Sequence, residues 1–548
     1  MYPKLTTVIK GERRYQYLQI VESCRDKSGR SRQRVVLNLG AVTPQTREGL
    51  LRLGWGIVRL LGEEAVRARE LEATRARLYG PVVVGHRLWE QIGLSEKIAR
   101  HIPRRRNRER IVQAAEMMVL NRLVEPASKL AVTRWVRRVY LPQWDGTQFS
   151  VQHFYRALDV LHEAGEAIEE ELFCEQRTLF EPGLDMVFYD VTSTYFEGEG
   201  PQGAEFGYSR DGHPDRRQIV IGLLVNRDGL PLGHRVFPGN MADAATVPHV
   251  LDDLRQRFGI ERVIFVGDRG MVSRGNLEAL RKAGYSYIVG LRKRAGSRCL
   301  EAVEGIEEGQ WQQIEEGLRV AEAAGRGGER IIICHSEARE EEERQILAGR
   351  LARGEEALGR VASSRRGQAA LIGAGRALRE AKAGRYFRVW LDESGRLCFA
   401  RRQEAVAREE MMLGMYFLLT DAGELEAEEI AGAYKQLQRV EAAFRQMKDF
   451  LRLRPIYHWR QRRVEAHVFV CVLAYLLERL LELKLAEAGV ELSARRALEE
   501  VGCVSVVEVE ARGQRMKLVT RPTAEARAVL RGVGIGRLGR VIDQPAEP

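Results

Sequence analysis

No two cysteines in the sequence are spaced C-x-x-C; the seven present (Cys24, Cys174, Cys299, Cys334, Cys398, Cys471 and Cys503) are scattered. That spread argues against a structural zinc site or a disulfide framework and suits thiols kept reduced in the cytosol. Long apolar runs are missing too. The longest, Val468–Leu477, stops at Glu478 and Arg479, short of the roughly 20 residues a bilayer-spanning helix needs. The opening MYPKLTTVIKGERR has no apolar core of a secretory signal. There is no internal repeat, which argues against a solenoid or propeller. The expectation is a soluble, cytoplasmic protein with no membrane partner.

What is present is length, charge and arginine. At 548 residues with 45% hydrophobic side chains, the chain can build two to four domains around sizeable cores. Its net charge of +11 favours a polyanionic partner without specifying one. The local form says more: HIPRRRNRER (101–110), RWVRRVY (134–140) and RLRPIYHWRQRR (452–463) set arginines beside aromatics. Guanidinium forks suit phosphate oxygens, and interleaved rings stack on bases. Taken singly, each run is more simply a solvated helix face.

The patterning divides the chain. Residues 1–80 read as a hairpin (RRYQYLQIVES, a turn at DKSG, RQRVVLNLG) followed by amphipathic helices over 46–78. Residues 81–180 are helical nearly throughout, with basic polar faces that suit DNA binding. In 181–295, MVFYDV, QIVIGLLVN, LPLGHRVF, RVIFVGD and YSYIVGL are five strands, with RDG (227–229) turning the second into the third. Helices over 244–258 and 274–283, the latter capped by Ser273, flank the fourth. A hairpin followed by strand–helix–strand predicts a mixed α/β sheet. The order breaks over 296–410, an α+β insertion, and resumes over 411–490 with the strand MYFLLTD and one long helix, AEEIAGAYKQLQRVEAAFRQMKDFL. A C-terminal unit occupies 491–548.

Two of these strands deliver an aspartate, Asp190 in MVFYDVTSTYF and Asp268 in RVIFVGDRG. A carboxylate at the end of a buried strand loses solvation and needs compensation. Either aspartate alone is an ordinary turn residue; two in one sheet suit a shared Mg²⁺, which takes oxygen ligands. On the long helix, Tyr434, Leu437, Glu441, Arg445 and Lys448 recur every three or four residues and share a face. Glu441–Arg445 alone reads as a surface ion pair worth roughly 0.3–0.5 kcal/mol. DVTST resembles phosphatases with an aspartate nucleophile, but Thr192 stands where those need a second acid. GYSRDGHPD has too few acids for a calcium loop. His458 and His467 are more simply packing residues than DNA contacts.

Together the motifs resemble DDE transposases, specifically the insertion-sequence-four group with its signature Tyr-x2-Arg-x3-Glu-x6-Lys. Tyr434, Glu441 and Lys448 fit that spacing, and Leu437 stands in the arginine place, where Arg445 could substitute. YDVTSTYFEG, GYSRDGHPDRRQIVIGLLVNRDGLPLGHRVFPGNMAD, VGDRGMVS and RPIYHWRQRRVEAHVF extend the likeness over most of the chain. The resemblance implies an RNase H-like sheet with an insertion before the last acid. It implies catalysis by Asp190, Asp268 and Glu441 holding two Mg²⁺ or Mn²⁺ ions, with Asp190 bridging. The reaction it implies is phosphodiester hydrolysis at the element's ends and 3′-OH strand transfer. The partners implied are double-stranded DNA, as terminal inverted repeats and target, and a second copy in a homodimeric synaptic complex. Tyr434, Arg445 and Lys448 would hold phosphates, and Arg104, Arg105 and Arg106 would grip the element's ends. Trp311 would stack on a flipped base, with Trp390 left to core packing. The alternatives are a two-metal nuclease without strand transfer and an inactive DNA-binding relative.

Overall fold

The computed structural model describes residues 2–10, 13–25, 31–43, 46, 49–50, 53, 71–102, 107–179, 186–293, 297–511 and 514–539. They fall into two compact units, one drawn from 1–76, 506–519 and 539–548, the other from 77–505 and 520–538.

The described residues of the smaller unit are mostly in strands. Tyr2–Lys10, Arg13–Arg25 and Ser31–Ala41 form an antiparallel three-stranded sheet, so the expected hairpin gains a strand ahead of it. Leu71–Leu78, expected to be helical, is instead a strand beside Ser505–Ala511, which pairs in turn with Gln514–Val519. The Thr74 hydroxyl donates to the Glu508 carbonyl (3.2 Å). Pairing with a segment more than 400 residues away overrides the local helical pattern. Residues 54–70 of the expected helices lie outside the described residues.

The larger unit is built on a nine-stranded mixed sheet. Its strands are β1 (Met186–Tyr195), β2 (Gln218–Val225), β3 (Pro231–Pro238), β4 (Ile264–Gly267), β5 (Ser286–Leu291), β6 (Gln312–Glu315), β7 (Leu318–Ala324), β8 (Arg330–Ser336) and β9 (Met415–Thr420). The order is β6-β7-β8-β9-β5-β4-β1-β2-β3. Within it, β1, β2 and β3 pair antiparallel and β4 and β5 run parallel to β1, the RNase H-like arrangement. β2 is buried at every residue, as a central strand covered on both faces must be. The β2–β3 turn is set by Asn226, whose side chain accepts the Asp228 and Leu230 N–H groups, and by Gly229 at φ 76°.

One face of the sheet packs Val187, Tyr189 and Val191 against Val247, Val250, Leu277 and Leu280 from the helices Asp243–Asp252 and Arg274–Ala283. Ser273 caps the second of these by accepting the Asn276 N–H. On the rest of the unit, the helices α1 (Arg108–Val124) and α2 (Val151–Leu179) pack on each other and on a long C-terminal helix. The expected long helix before it is broken. It divides into Ala427–Lys435, α3 (Gln438–Arg445) and a wide π-helical turn at Gln446–Phe450, followed by α4 (Gln461–Glu487). Three-residue hydrogen bonds at Gln436, Leu437 and Arg439 tighten the backbone between the first two.

The interruption also differs from the pattern read in the sequence. β6, β7 and β8, expected within the insertion, extend the same sheet. Only 337–411 leaves it, as the helices Glu337–Ser364, Gly367–Glu380 and Gln403–Met411 around the hairpin Phe387–Leu391/Leu397–Arg401. This excursion has its own core, including Leu351, Leu358, Leu378 and Phe387. Among the described residues, no helix is long and apolar enough to cross a membrane.

Candidate active site

Strand register builds the site. Tyr189 of β1 pairs with Gly267 of β4 in parallel, so the next residues, Asp190 and Asp268, stand side by side on strands spaced ~4.8 Å apart. Side chains alternate along a strand, and Tyr189 and Val191 belong to the core on one face. Asp190 therefore projects from the other face, where α3 lies against β1 and β2. α3 carries Glu441, and Asp268, Tyr434, Leu437 and Glu441 line one cleft.

Asp190 is partly buried. Its carboxyl is pushed up to about 7, first by burial and then by the charges of Asp268 and Glu441; the Val191 N–H (2.7 Å) and Arg210 pull it the other way. Arg210 is itself ion-paired with Asp243. Asp190 thus feels two neighbouring carboxylates, and the cleft that Asp268 and Glu441 line also carries Arg269, Lys293, Arg339 and Lys435. Among the described residues, no three His, Cys, Asp or Glu side chains are close enough to close around one ion. The acids repel one another in this state, and the chemistry of the donor set, all carboxylate oxygens, fits a hard divalent cation.

This has a measurable consequence. Asp190 keeps its proton to about pH 7 when folded and loses it near 3.8 when unfolded. The raised value therefore favours the fold at low pH, and that contribution is lost as pH rises from about 4 through 7. In EDTA at pH 8, Asp190→Asn should stabilise the protein by up to ~4 kcal/mol, a gain that shrinks towards pH 4. Thermal unfolding across that range tests it, and a pH-independent difference would refute it.

Tyr434 reaches back from its helix so that its hydroxyl donates to Asp268 (3.4 Å), and its ring stacks on Tyr416. Burial and the Asp268 charge raise the phenol's pKa, so it stays a proton donor. This arrangement needs Gly290 on β5. A Cβ there would lie 2.4 Å from the Tyr434 hydroxyl. Gly290→Ala should cost about 1–3 kcal/mol and turn Tyr434 away from Asp268; an unchanged melting temperature and unchanged activity would disprove the contact.

The remaining expected residues are placed variously. Arg445 is exposed, with no hydrogen-bond or ionic partner among the described residues. Leu437, in the signature's arginine place, is buried. Lys448 does not face open solvent: its ammonium donates to Asp211 (2.8 Å), which also pairs with Arg454. Asp211, in GYSRDGHPD, and Arg210 beside it were not singled out from sequence. Their partners lie far along the chain, beyond any local signal.

Trp311 is half-buried against the core, its ring edge-on to His335 and covered by Arg319. Trp390, expected in the core, is 41% exposed on its hairpin. It alternates with Phe387 along a two-stranded ribbon only one face of which is covered, and Phe387 takes that face. His467 is buried and His458 rests on it and on Tyr155, so both pack. Arg104, Arg105 and Arg106 lie outside the described residues.

Residues 181–477, just over half the chain, match the family model of the transposase DDE domain. Residues 4–69 match that of the IS1634 family transposase N-terminal domain. No curated protein matches the sequence. Among solved structures, the chain is similar to that titled "Cryo-EM structure of piggyBac transposase synaptic complex with hairpin DNA (SNHP)". The two are 10% identical with a TM-score of 0.39, over 77% of this chain and 79% of that one.

Proposed function

The chain belongs to the transposases of the DDE-domain family, and from that premise we propose that Asp190, Asp268 and Glu441 cut the ends of a DNA element and join its 3′-OH to a target. The observation that carries the reading is the pairing of β1 with β4, which sets two carboxylates side by side facing the helix of a third. The grouping with insertion-sequence-four enzymes rests on Tyr434, Glu441 and Lys448 alone, and the N-terminal match is to the IS1634 family.

Asp190, Asp268 and Glu441 would together hold the Mg²⁺ or Mn²⁺ ions the reaction needs. Bound there, such ions neutralise charge on the phosphodiester and its attacking and leaving oxygens. The protein's own groups orient. The Tyr434 phenol fixes the Asp268 carboxylate, and Arg445, one turn beyond Glu441, is free to hold a backbone phosphate. Lys448 is better suited to fixing the 197–217 loop through Asp211 than to touching DNA. The enzyme would act as a homodimer on two paired ends.

The test is cleavage of DNA carrying the element's terminal repeats, with and without Mg²⁺, followed by recovery of strands joined to a plasmid. Metal-dependent cleavage with joined products is expected. Cleavage without joining would make the protein a nuclease, and binding without cleavage an inactive relative.

A further inference from the structure

The four most exposed aromatic side chains among the described residues are Tyr208 (81%), Trp459 (71%), Tyr457 (70%) and Phe206 (55%). They sit on two loops joined into one surface. Ile456 donates its N–H to the Tyr195 carbonyl and accepts that of Glu197, both at 3.2 Å, and Asp211 of one loop pairs with Lys448 and Arg454. The second loop is held from below: the buried Arg122 donates to the Leu451 and Arg452 carbonyls (3.3 and 3.0 Å). The rings are thus displayed on fixed backbone, which lowers the ordering cost of anything they bind.

Charge selects the occupant. Five arginines and no acid lie between Asp449 and Glu465. Arg452 and Arg460 are exposed without an acidic partner among the described residues. Guanidinium groups lie over Phe206, Tyr208 and Trp459 (Arg217, Arg210 and Arg460; 5.5, 5.9 and 5.3 Å). Protruding rings with flanking cations match single-stranded nucleic acid, whose base faces are open; a duplex hides those faces. The surface also adjoins the acids. One loop follows β1, the other follows α3, and the Arg210 backbone N–H donates to the Ser193 hydroxyl (2.9 Å), three residues beyond Asp190 on β1.

We propose that Phe206, Tyr208, Tyr457 and Trp459 form a platform for unpaired bases of the DNA strand leaving the carboxylate site, with Arg452 and Arg460 on its phosphates. This rests on the function proposed above. The test uses the full chain in EDTA, with fluorescence anisotropy of labelled oligothymidylate and of a blunt duplex.

Tyr457→Ala with Trp459→Ala, and separately Phe206→Ala with Tyr208→Ala, should weaken oligothymidylate binding roughly five- to a hundred-fold and leave duplex binding unchanged. Tyr457→Phe with Trp459→Phe should restore most of it. Arg452→Ala with Arg460→Ala should lower the salt slope by about 0.7 per lost contact. Oligothymidylate binding that survives both aromatic pairs, or equal losses on both probes, overturns the platform. Wild type that binds duplex but not oligothymidylate overturns the platform alone; wild type that binds neither overturns the transposase reading as well.

Discussion

Asp190→Asn is expected to abolish strand cleavage while leaving binding of the element's ends nearly intact. The substitution keeps the shape of the side chain and removes the negative charge at the point where β1, β4 and α3 meet. Losing a ligand that stabilises transition-state charge forfeits several kcal/mol, on the order of a thousand-fold or more in rate. Unfolding would not explain such a loss, because the same change relieves repulsion with Asp268 and Glu441 and should stabilise the metal-free protein. Gel assays of end binding and of nicking in Mg²⁺, run on the same preparation, separate the two effects. Cleavage at the wild-type rate would remove Asp190 from the site.

Asp211→Ala should produce the largest loss of stability. Asp211 is 3% exposed and Lys448, its partner, 10%. Burial depresses the lysine's pKa and the carboxylate opposes that. Deleting one member of a buried pair leaves the other charged and uncompensated, at a cost of about 3–5 kcal/mol. Arg454 loses a partner in the same step and the two loops lose their tie. Replacing Asp211 and Lys448 together, by Asn and Met, should cost much less than the sum of the single changes. Denaturant midpoints for the four combinations measure the coupling; additive effects would mean that the pair is decorative.

Much of the nine-stranded sheet was legible because its signals are local. The runs MVFYDV, QIVIGLLVN and RVIFVGD are apolar at successive positions, as central strands must be; the last two stop at Asn226 and Asp268, whereas β1 continues past Asp190 to Tyr195, so that Asp190 lies within the strand and not at its end. RDG and Ser273 are short-range turn and cap signals that need no tertiary knowledge. What escaped depends on distant partners. Leu71–Leu78 takes its state from Ser505–Ala511, not from its own helix-like pattern. The strands of 312–336 looked like part of an insertion because nothing local says that β8 will pair with β9. Asp211 gave no sign of Lys448, and the break after Lys435 has no proline or glycine to announce it. Asp190 and Asp268 were legible as acids delivered by apolar strands and Glu441 by the spacing on its helix; that Tyr434 turns to Asp268 over a bare Gly290 depends on contacts between distant segments.

The place of β9 governs the order in which a growing chain can become whole. β9 lies between β5 and β8, yet it is made only after the 337–411 excursion has been synthesised. Until Thr420 emerges from the ribosome, β5 and β8 each present an unpaired edge, the kind of edge on which chains aggregate. The excursion can fold first around its own core, holding the two ends of the gap while the missing strand arrives. Glu441 follows β9 in the sequence, so the last carboxylate is delivered only to a sheet that can already be closed.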